Sequence, residues 1–409
     1  MESKTQTVRG QPRVSSCSIN RLRVLKHEHV HHTGNYFRSD ELEALQSQII
    51  YKQRFLDYAK EDILHMTPPN FLPKLKNPCW YKQKKDKNGS LTLSCVPYFM
   101  LLGQKKCGTT DLFASIVTHP DIISPKGKEP QFWARFRHCY CCGNLTYQFR
   151  CKKPNKARNW DDYVNYFDST AKKIQHLLTG TTLAEKKRSR EIITGEASPS
   201  NLEDNRWWWN YAVNQYDTEP PALTNANYIH RFMPNLKMII ILRNPVSRLY
   251  SDYLFVSEGE VSAKRFHQEV LKEIRSFQSC SSYHDIRYCL DHNSFNEGNV
   301  TSSVPLSNGF YVVFIKEYMK FFPRNQFHII RLDEYSKNKS EVMRNIFRFL
   351  DVGDVKQQVR NTSKNSRKKK GSDTRDMLPE TRSLLTEFYQ PYLVQLADLL
   401  GDERYLWKD

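Results

Sequence analysis

The chain alternates between short apolar runs and stretches with helical periodicity. Residues 238–242 read Met-Ile-Ile-Ile-Leu, a continuous apolar run that is typical of a central parallel strand buried on both faces. Residues 97–102 form another run of strand length, and shorter runs occur at 122–124, 192–196 and 327–332. Because helical stretches separate these strands, the pattern predicts an α/β fold with a central parallel sheet flanked by helices.

Helices are predicted wherever apolar residues recur at intervals of three and four. The predicted helices span residues 112–117, 160–178, 266–277, 309–322, 340–350 and 379–400. Pro391 lies inside the last of these, and we expect a break there because proline removes a backbone donor. Residues 74–94 are basic and predict a loop.

The N-terminal region differs from the rest of the chain. Residues 1–38 are rich in Ser, Arg, His and Gln without hydrophobic periodicity, which predicts a poorly ordered segment. Apolar residues at helical spacing over 39–64 predict a stem-like helix, which Thr67-Pro68-Pro69 ends. We therefore expect an N-terminal segment over residues 1–68 and a main domain over residues 69–409.

Charge narrows the classes of partner. The chain of 409 residues has 62 Lys and Arg against 44 Asp and Glu, a formal net charge of +18. This excess favours an acidic partner such as an anionic polysaccharide, nucleic acid or a membrane surface, and charge alone does not choose among them. No stretch approaches the roughly 20 apolar residues of a membrane span.

Cysteines and glycosylation sequons point to an oxidising compartment. The chain has ten cysteines and five sequons, at Asn88, Asn144, Asn299, Asn338 and Asn361. We expect a lumenal protein whose targeting segment is missing from this version of the chain. Disulfides would suit Cys79 with Cys95 and Cys280 with Cys289, although the sequence does not assign the connectivity. The dense cluster over 138–151 matches no paired C-x-x-C zinc pattern, so disulfides are favoured over a metal there.

The turn after the strand at 97–102 has the features of an anion cradle. Gly103 and Gly108 let the backbone approach a ligand, and the helix that follows directs its first amide groups at it. Lys105 and Lys106 add positive charge. A nucleotide triphosphatase would have its lysine directly after the second glycine, where this chain has a threonine. The loop therefore predicts anion binding without a Walker-type site.

A second anion site is predicted after the strand at 238–242. Arg243 follows this strand directly, Pro245 can start a helix, and Arg248 and Ser251 come next along it. Because the carboxyl ends of parallel strands line the ligand crevice, Arg243 is expected to face the same crevice as the glycine loop. Residues 128–133, which follow another predicted strand, are expected there too.

The order of these motifs resembles that of the Golgi carbohydrate sulfotransferases, which use 3′-phosphoadenosine 5′-phosphosulfate (PAPS) as sulfuryl donor. Residues 103–110, Gly-Gln-Lys-Lys-Cys-Gly-Thr-Thr, match the family's 5′-phosphosulfate loop, and residues 243–251 match its 3′-phosphate motif. Lys-Glu-Pro-Gln-Phe-Trp at 128–133 resembles the segment that carries the family's catalytic base. The similarity covers roughly residues 69–400.

The resemblance implies a PAPS-dependent sulfotransferase fold with a P-loop-like sheet, and a role for each matched residue. Lys106 would stabilise the leaving oxygen of the donor, and Glu129 would take the proton of the acceptor hydroxyl. The residues that would contact the donor are Lys105, Lys106, Gly108, Thr109, Thr110, Arg243, Arg248, Ser251, Lys370 and Gly371. No metal is expected to be required.

The resemblance also implies a sulfated glycosaminoglycan acceptor and a location in the Golgi lumen. The segments at 128–133, 195–198 and 377–382 are similar to those of family members that sulfate C6 of N-acetylgalactosamine 4-sulfate in chondroitin or dermatan sulfate. Many heparan-type relatives carry a lysine that Gly-Glu-Ala-Ser at 195–198 lacks. We therefore expect the chondroitin-type acceptor.

Other classes of protein remain as alternatives. A heparan-type or other carbohydrate sulfotransferase would share the donor motifs. A non-catalytic protein that binds anionic polysaccharide would explain the charge but not those motifs. A kinase would need a Walker lysine and an acidic, magnesium-binding strand end, which are not evident. Nucleic acid is not expected as a partner, since no recognised reader motif accompanies the basic residues.

Overall fold

The computed structural model describes residues 63–83, 90–138, 158–205, 214, 219–256, 262–292, 304–353 and 376–408. The predicted segment before residue 63, most of the cysteine cluster, and Lys370 with Gly371 lie outside the described residues. The strands are β1 (Cys79–Gln83), β2 (Leu91–Cys95), β3 (Phe99–Gly103), β4 (Ile122–Ile123), β5 (Ile193–Glu196), β6 (Lys237–Leu242) and β7 (Phe327–Arg331).

Helices surround these strands in chain order. They are α1 (Thr109–Ile116), α2 (Trp160–Val164), α3 (Asp168–Leu178), α4 (Leu183–Glu191), α5 (Ser200–Glu203), α6 (Asn225–Phe232), α7 (Pro245–Val256), α8 (Ala263–Ser281), α9 (Ile286–His292), α10 (Tyr311–Met319), α11 (Leu332–Lys337), α12 (Lys339–Phe349) and α13 (Pro379–Leu400). None of the helices that the structure describes is long and apolar enough to span a bilayer.

The central sheet has five parallel strands in the order β4-β5-β3-β6-β7. β3 lies between β5 and β6, and β6 pairs with β7 along five residues. The predicted α/β fold with a parallel sheet is therefore confirmed. Because neighbouring parallel strands end at the same edge, the residues that follow β3, β5 and β6 are brought together.

Alternate residues of the central strands pack on opposite faces of the sheet. On one face, Met100, Leu102, Met238, Ile240 and Leu242 are buried against side chains from most of the helices. The other face buries Phe99, Leu101, Ile239 and Ile241 against α1 and α12. Burial on both faces explains why the central strands read as continuous apolar runs.

Two predicted helices differ from those observed. α13 runs through Pro391 without a break, since Tyr389 and Leu393 on either side of the proline are buried against the core and keep the helix in place. The helix predicted over 160–178 is divided into α2 and α3 by a 3-10 turn, Asn165–Phe167. Phe167 is fully buried at that turn.

The predicted loop over residues 74–94 contains a β-hairpin instead. β1 and β2 pair antiparallel, and Cys79 lies directly opposite Cys95 in the register. These two cysteines form a disulfide, and so do Cys280 and Cys289, which confirms both predicted pairings. The first strand shows no clear alternation because Tyr81 and Gln83 are exposed, although they share a face with the buried Cys79.

Candidate active site

The glycine loop leads from β3 into the N-terminus of α1. Gly108 is the N-terminal cap of α1 and has a φ of 81°, in the left-handed region that favours glycine. A Cβ at this position would lie 2.8 Å from Cδ1 of Leu332. Gly108 has no side chain that could cap α1. The first backbone amides of the helix can therefore donate hydrogen bonds to an anion.

Gln104 holds the loop in place. Its side chain is fully buried, and its backbone amide donates to the carbonyl of Ile241 on β6 at 2.9 Å. Its side-chain amide donates to the carbonyl of Asn308 at 2.6 Å, and its side-chain oxygen accepts from the amide of Lys105 at 2.8 Å. The conformation of the loop is therefore set by contacts within the core, which pre-organises it for a ligand.

Lys105 connects the glycine loop to α7 through a buried carboxylate. Its Nζ lies 3.1 Å from Oδ1 of Asp252, and Nη1 of Arg248 lies 3.1 Å from Oδ2 of the same carboxylate. Arg248 and Asp252 are both fully buried. Burial by itself would raise the pKa of Asp252, but Lys105 and Arg248 together hold it below its usual value.

Lys106 lies against the same helix. Its Nζ is 3.8 Å from the ring centroid of Phe255, a distance at which an ammonium group is attracted to an aromatic face. Phe255 lies one turn beyond Ser251 on α7, and Ser251 is half-buried. The two predicted anion sites therefore converge, with Lys106 close to the helix that carries the second site.

Arg243 follows β6 and is half-buried at the strand end. Its backbone carbonyl accepts a hydrogen bond from the hydroxyl of Tyr311 at 2.8 Å. Within the described part of the chain, its guanidinium has no ion pair, in contrast to that of Arg248. The thiol of Cys107 is buried close to Arg243. Burial raises the pKa of this thiol to about 12, so the thiol stays protonated at neutral pH.

Glu129 is attached to the segment that follows β5. Its backbone amide donates to the carbonyl of Ala197 at 3.2 Å, and its φ is 62°. One carboxylate oxygen contacts the ammonium of Lys128, and the other accepts from the side-chain amide of Gln131 at 3.1 Å. The side chain is 38% exposed, so this carboxylate is both anchored and accessible to a substrate.

Two further carboxylates are buried behind this surface. Burial raises the pKa of Glu196, although hydrogen bonds, including one from the hydroxyl of Tyr163 at 2.5 Å, oppose the shift. Burial also raises the pKa of Glu203 to about 8, and the charge of Asp204 adds to that shift. The positive charges of Arg135 and Lys105 oppose this upward shift of the pKa.

The structure brings together most of the residues that the sequence predicts for the site. The glycine loop and α7 meet at Lys105, and Glu129 joins through the segment after β5. Sequence reasoning missed Asp252, Gln104 and Gln131. The spacing of Arg248 and Asp252, four residues apart on a predicted helix, could have indicated the ion pair. No sequence signal indicated the roles of the two glutamines.

The described residues include no group of three or more His, Cys, Asp or Glu side chains placed to hold a metal ion. The anionic ligand that fits this site is one held by backbone amides, lysines and arginine.

A parallel α/β sheet with an anion loop after one strand and an arginine after its neighbour is typical of proteins that bind a phosphorylated ligand at the sheet edge. The family model of the sulfotransferase domain matches residues 97–387, which include both anion motifs. The chain therefore belongs to the sulfotransferase domain family, and the predicted class of transferase is confirmed.

Individual relatives narrow the resemblance. The chain is similar to carbohydrate sulfotransferase 15 of Homo sapiens, with 32% identity over 398 residues that cover 86% of this chain and 69% of the relative. The protein of the same name from Mus musculus is 32% identical over 394 residues, covering 85% and 68% of the two chains. A crystal structure of a sulfotransferase from Alicyclobacillus acidocaldarius matches with a TM-score of 0.49 and 23% identity, covering 77% of this chain and 100% of that one.

Proposed function

We propose that the protein transfers a sulfuryl group from PAPS to a hydroxyl of a glycosaminoglycan, at C6 of N-acetylgalactosamine 4-sulfate in chondroitin or dermatan sulfate. The sulfotransferase domain implies the PAPS donor, and the similarity to carbohydrate sulfotransferase 15 supports a carbohydrate acceptor. The net charge of +18 suits an acidic polymer.

One observation carries the proposal. Two cationic sites, the glycine loop after β3 and the strand end at Arg243, follow paired strands, and the ion pair of Lys105 with Asp252 ties the loop to α7. A donor with phosphate groups at both ends of its ribose needs two such sites. Glu129, whose amide is bonded to the segment after the neighbouring strand β5, presents an accessible carboxylate.

The residues of the chain divide into three roles. Thr109, Thr110 and the amides at the start of α1 hold the 5′ phosphosulfate with Gly108 and Lys105. Arg243 and Ser251 hold the 3′ phosphate. Arg248 belongs to this second site through its ion pair with Asp252. Lys370 and Gly371 are proposed to close over the donor, as the resemblance implies.

The donor supplies a sulfur that is bonded to a good leaving group. The acceptor oxygen forms a bond to that sulfur while the bond from sulfur to the bridging oxygen breaks. Glu129 takes the hydroxyl proton, and the ammonium of Lys106 offsets the negative charge that grows on the bridging oxygen. Adenosine 3′,5′-bisphosphate leaves with that charge, so protons and charges balance without a metal.

The location proposed for this reaction is the Golgi lumen. The disulfides Cys79–Cys95 and Cys280–Cys289 suit an oxidising compartment, where such bonds persist.

Carbohydrate acceptors with acidic groups are extended polymers, and the exposed lysines of α4 provide cationic surface outside the site.

Replacement of Lys106 by alanine tests the assignment. Sulfuryl transfer should fall by about 10²- to 10³-fold, because removal of one preorganised positive donor costs that much in comparable sites. Lys172→Ala, at an exposed position of α3, is the matched control and should retain transfer. Labelled PAPS and a panel of desulfated and 4-sulfated chondroitins, followed by disaccharide analysis, give the readout.

Retained transfer in Lys106→Ala would remove Lys106 from the mechanism. Incorporation mainly into heparan substrates would overturn the proposed acceptor while leaving the donor chemistry intact. A protein that binds polysaccharide but has no affinity for adenosine 3′,5′-bisphosphate would instead be a non-catalytic binding protein.

A further inference from the structure

A chain of three side chains runs from Glu129 into the core. The side-chain amide of Gln131 donates to Oε2 of Glu129 at 3.1 Å, and Oε1 of Gln131 accepts from Nη1 of Arg135 at 3.3 Å. Nε of Arg135 then donates to Oδ2 of Asp204 at 2.7 Å. We propose that Gln131 and Arg135 are positioning residues that hold the carboxylate of Glu129 in its reactive orientation, an inference that rests on the proposed role of Glu129 as the base.

The donor and acceptor groups along this chain can be arranged in only one way. Arginine carries N–H donors and no acceptor, so the oxygen of the Gln131 amide must face Arg135. The NH₂ group of Gln131 is thereby directed at Glu129. An ionised carboxylate can only accept, so Arg135 makes Gln131 a donor to the base. If the side-chain amide of Gln131 could rotate freely, its hydrogen bond to the carboxylate of Glu129 would be lost.

Asp204 forms the buried end of this series of hydrogen-bonded side chains. Its side chain is fully buried, and its backbone carbonyl accepts from Nδ2 of Asn225 at 2.8 Å. The backbone amide of Asn225 donates to Oδ1 of Asn205 at 2.8 Å, and Nδ2 of Asn205 donates to Oε1 of Glu317 at 3.0 Å. Glu317 is in turn paired with the buried Arg287 at 2.7 Å. The contacts that end at Asp204 therefore continue into a buried polar network.

The backbone of the same segment is held independently. The amide of Gln131 donates to Oγ of Ser198 at 3.0 Å, next to the contact of Glu129 with Ala197. Immediately afterwards, Phe132 and Trp133 are buried, and the ring of Phe132 stacks on that of Tyr163 at 4.8 Å. Backbone contacts and buried rings locate the segment, so the side chain of Gln131 is left with the task of orienting the carboxylate.

Orientation of this kind affects the chemical step more than binding. A catalytic group that is displaced by about 1 Å can cost about 100-fold in rate without loss of substrate affinity. The carboxylate of Glu129 is 38% exposed, so without Gln131 one oxygen would keep its contact with Lys128 while the other turned toward solvent. The donor contacts at the glycine loop and Arg243 do not involve Gln131 or Arg135.

The primary test replaces Gln131 by methionine, which keeps the length of the side chain and removes its amide. We expect kcat to fall by about 10- to 100-fold, with the KM values for PAPS and acceptor and the Kd for adenosine 3′,5′-bisphosphate within about twofold of the parent values. Gln326→Met is the matched control, since its side-chain amide bonds the carbonyls of Pro234 and Leu236 away from the site, and it should retain the parent kcat.

Two further variants separate orientation from general damage. Arg135→Lys keeps a cation for Asp204 but loses the fork that reaches Gln131, so kcat should fall with unchanged KM. Gln131→Glu retains an acceptor for Arg135 but turns a carboxylate toward Glu129, so it should lose at least as much kcat as Gln131→Met. Thermal unfolding of each variant, compared with that of Gln326→Met, reports the integrity of the fold.

The outcomes distinguish this inference from the proposed function. If Glu129→Gln is inactive while Gln131→Met has the parent kcat, Glu129 remains the base and its positioning by Gln131 is refuted. If Glu129→Gln is active, the assignment of the base fails first. A parallel loss of kcat and of bisphosphate affinity in Gln131→Met would also overturn the positioning role, because it would mark a general disruption of the site.

Discussion

The buried carboxylate of Asp252 offers a quantitative test of the ion pair that it forms with Arg248 within α7. Asp252→Asn removes the only carboxylate that the described residues place against the Arg248 guanidinium. Both side chains are fully buried, so the arginine would keep a charge without a counter-ion in the core. Breaking a buried pair in this way costs about 3 to 5 kcal/mol in the free energy of unfolding.

The contact with Lys105 adds little to this figure. Its side chain is 35% exposed, so solvent can stabilise the ammonium once Asp252 is neutral. The loss of stability should therefore come almost entirely from Arg248. Its second contact, from Nη2 to the carbonyl of Pro305 at 3.1 Å, satisfies one donor but supplies no negative charge.

A double-mutant cycle measures the coupling. Urea unfolding at neutral pH would be followed for Asp252→Asn, Arg248→Met and the double variant, which removes both charges. We expect the double variant to be more stable than Asp252→Asn, because the unpaired charge is gone. If the two single losses simply add, Arg248 and Asp252 do not stabilise each other, and the ion pair does not hold α7 in the core.

Two further predictions follow from single residues. Gly108→Ala should lower the free energy of unfolding by about 1 to 2 kcal/mol because of the positive φ. It should also weaken binding of adenosine 3′,5′-bisphosphate in titration calorimetry, since the new Cβ meets Leu332. Unchanged affinity would contradict the assignment of this loop to the anion site. Burial, with the charge of Arg324, lowers the pKa of His328 to about 4, so protons bind the unfolded chain preferentially below pH 6.5. Stability should therefore fall as pH drops from 6.5 to 4, by about 3 kcal/mol, and His328→Gln should flatten that part of the unfolding profile; an equal fall in the variant would assign the loss to other groups.

Local signals predicted much of this fold. Continuous apolar runs identified the central strands, because residues buried on both faces of a parallel sheet need no alternation. The glycines and lysines of residues 103–108 predicted an anion loop, and the placement of Arg243 after β6 predicted a second site at the same sheet edge. The separations of Cys79 from Cys95 and of Cys280 from Cys289 suited disulfides, but only the structure assigned these pairings.

The incorrect predictions come from residues whose local tendency is overridden by packing. Pro391 disfavours a helix, but the burial of Tyr389 and Leu393 keeps α13 continuous. Residues 160–178 have helical periodicity throughout, but the buried Phe167 lies in a turn that separates two helices. In each case the free energy of burying large side chains exceeds the local preference of the backbone.

The sequence by itself determined the fold class and the family of this protein, since periodicity, glycine spacing and strand-end arginines are properties of consecutive residues. Only the tertiary structure decided how the site is held. Asp204 is 69 residues from Arg135 along the chain, and three strands of the sheet lie between Lys105 and Asp252 in the sequence. Contacts of this kind depend on which elements pack together, and no local pattern records that choice.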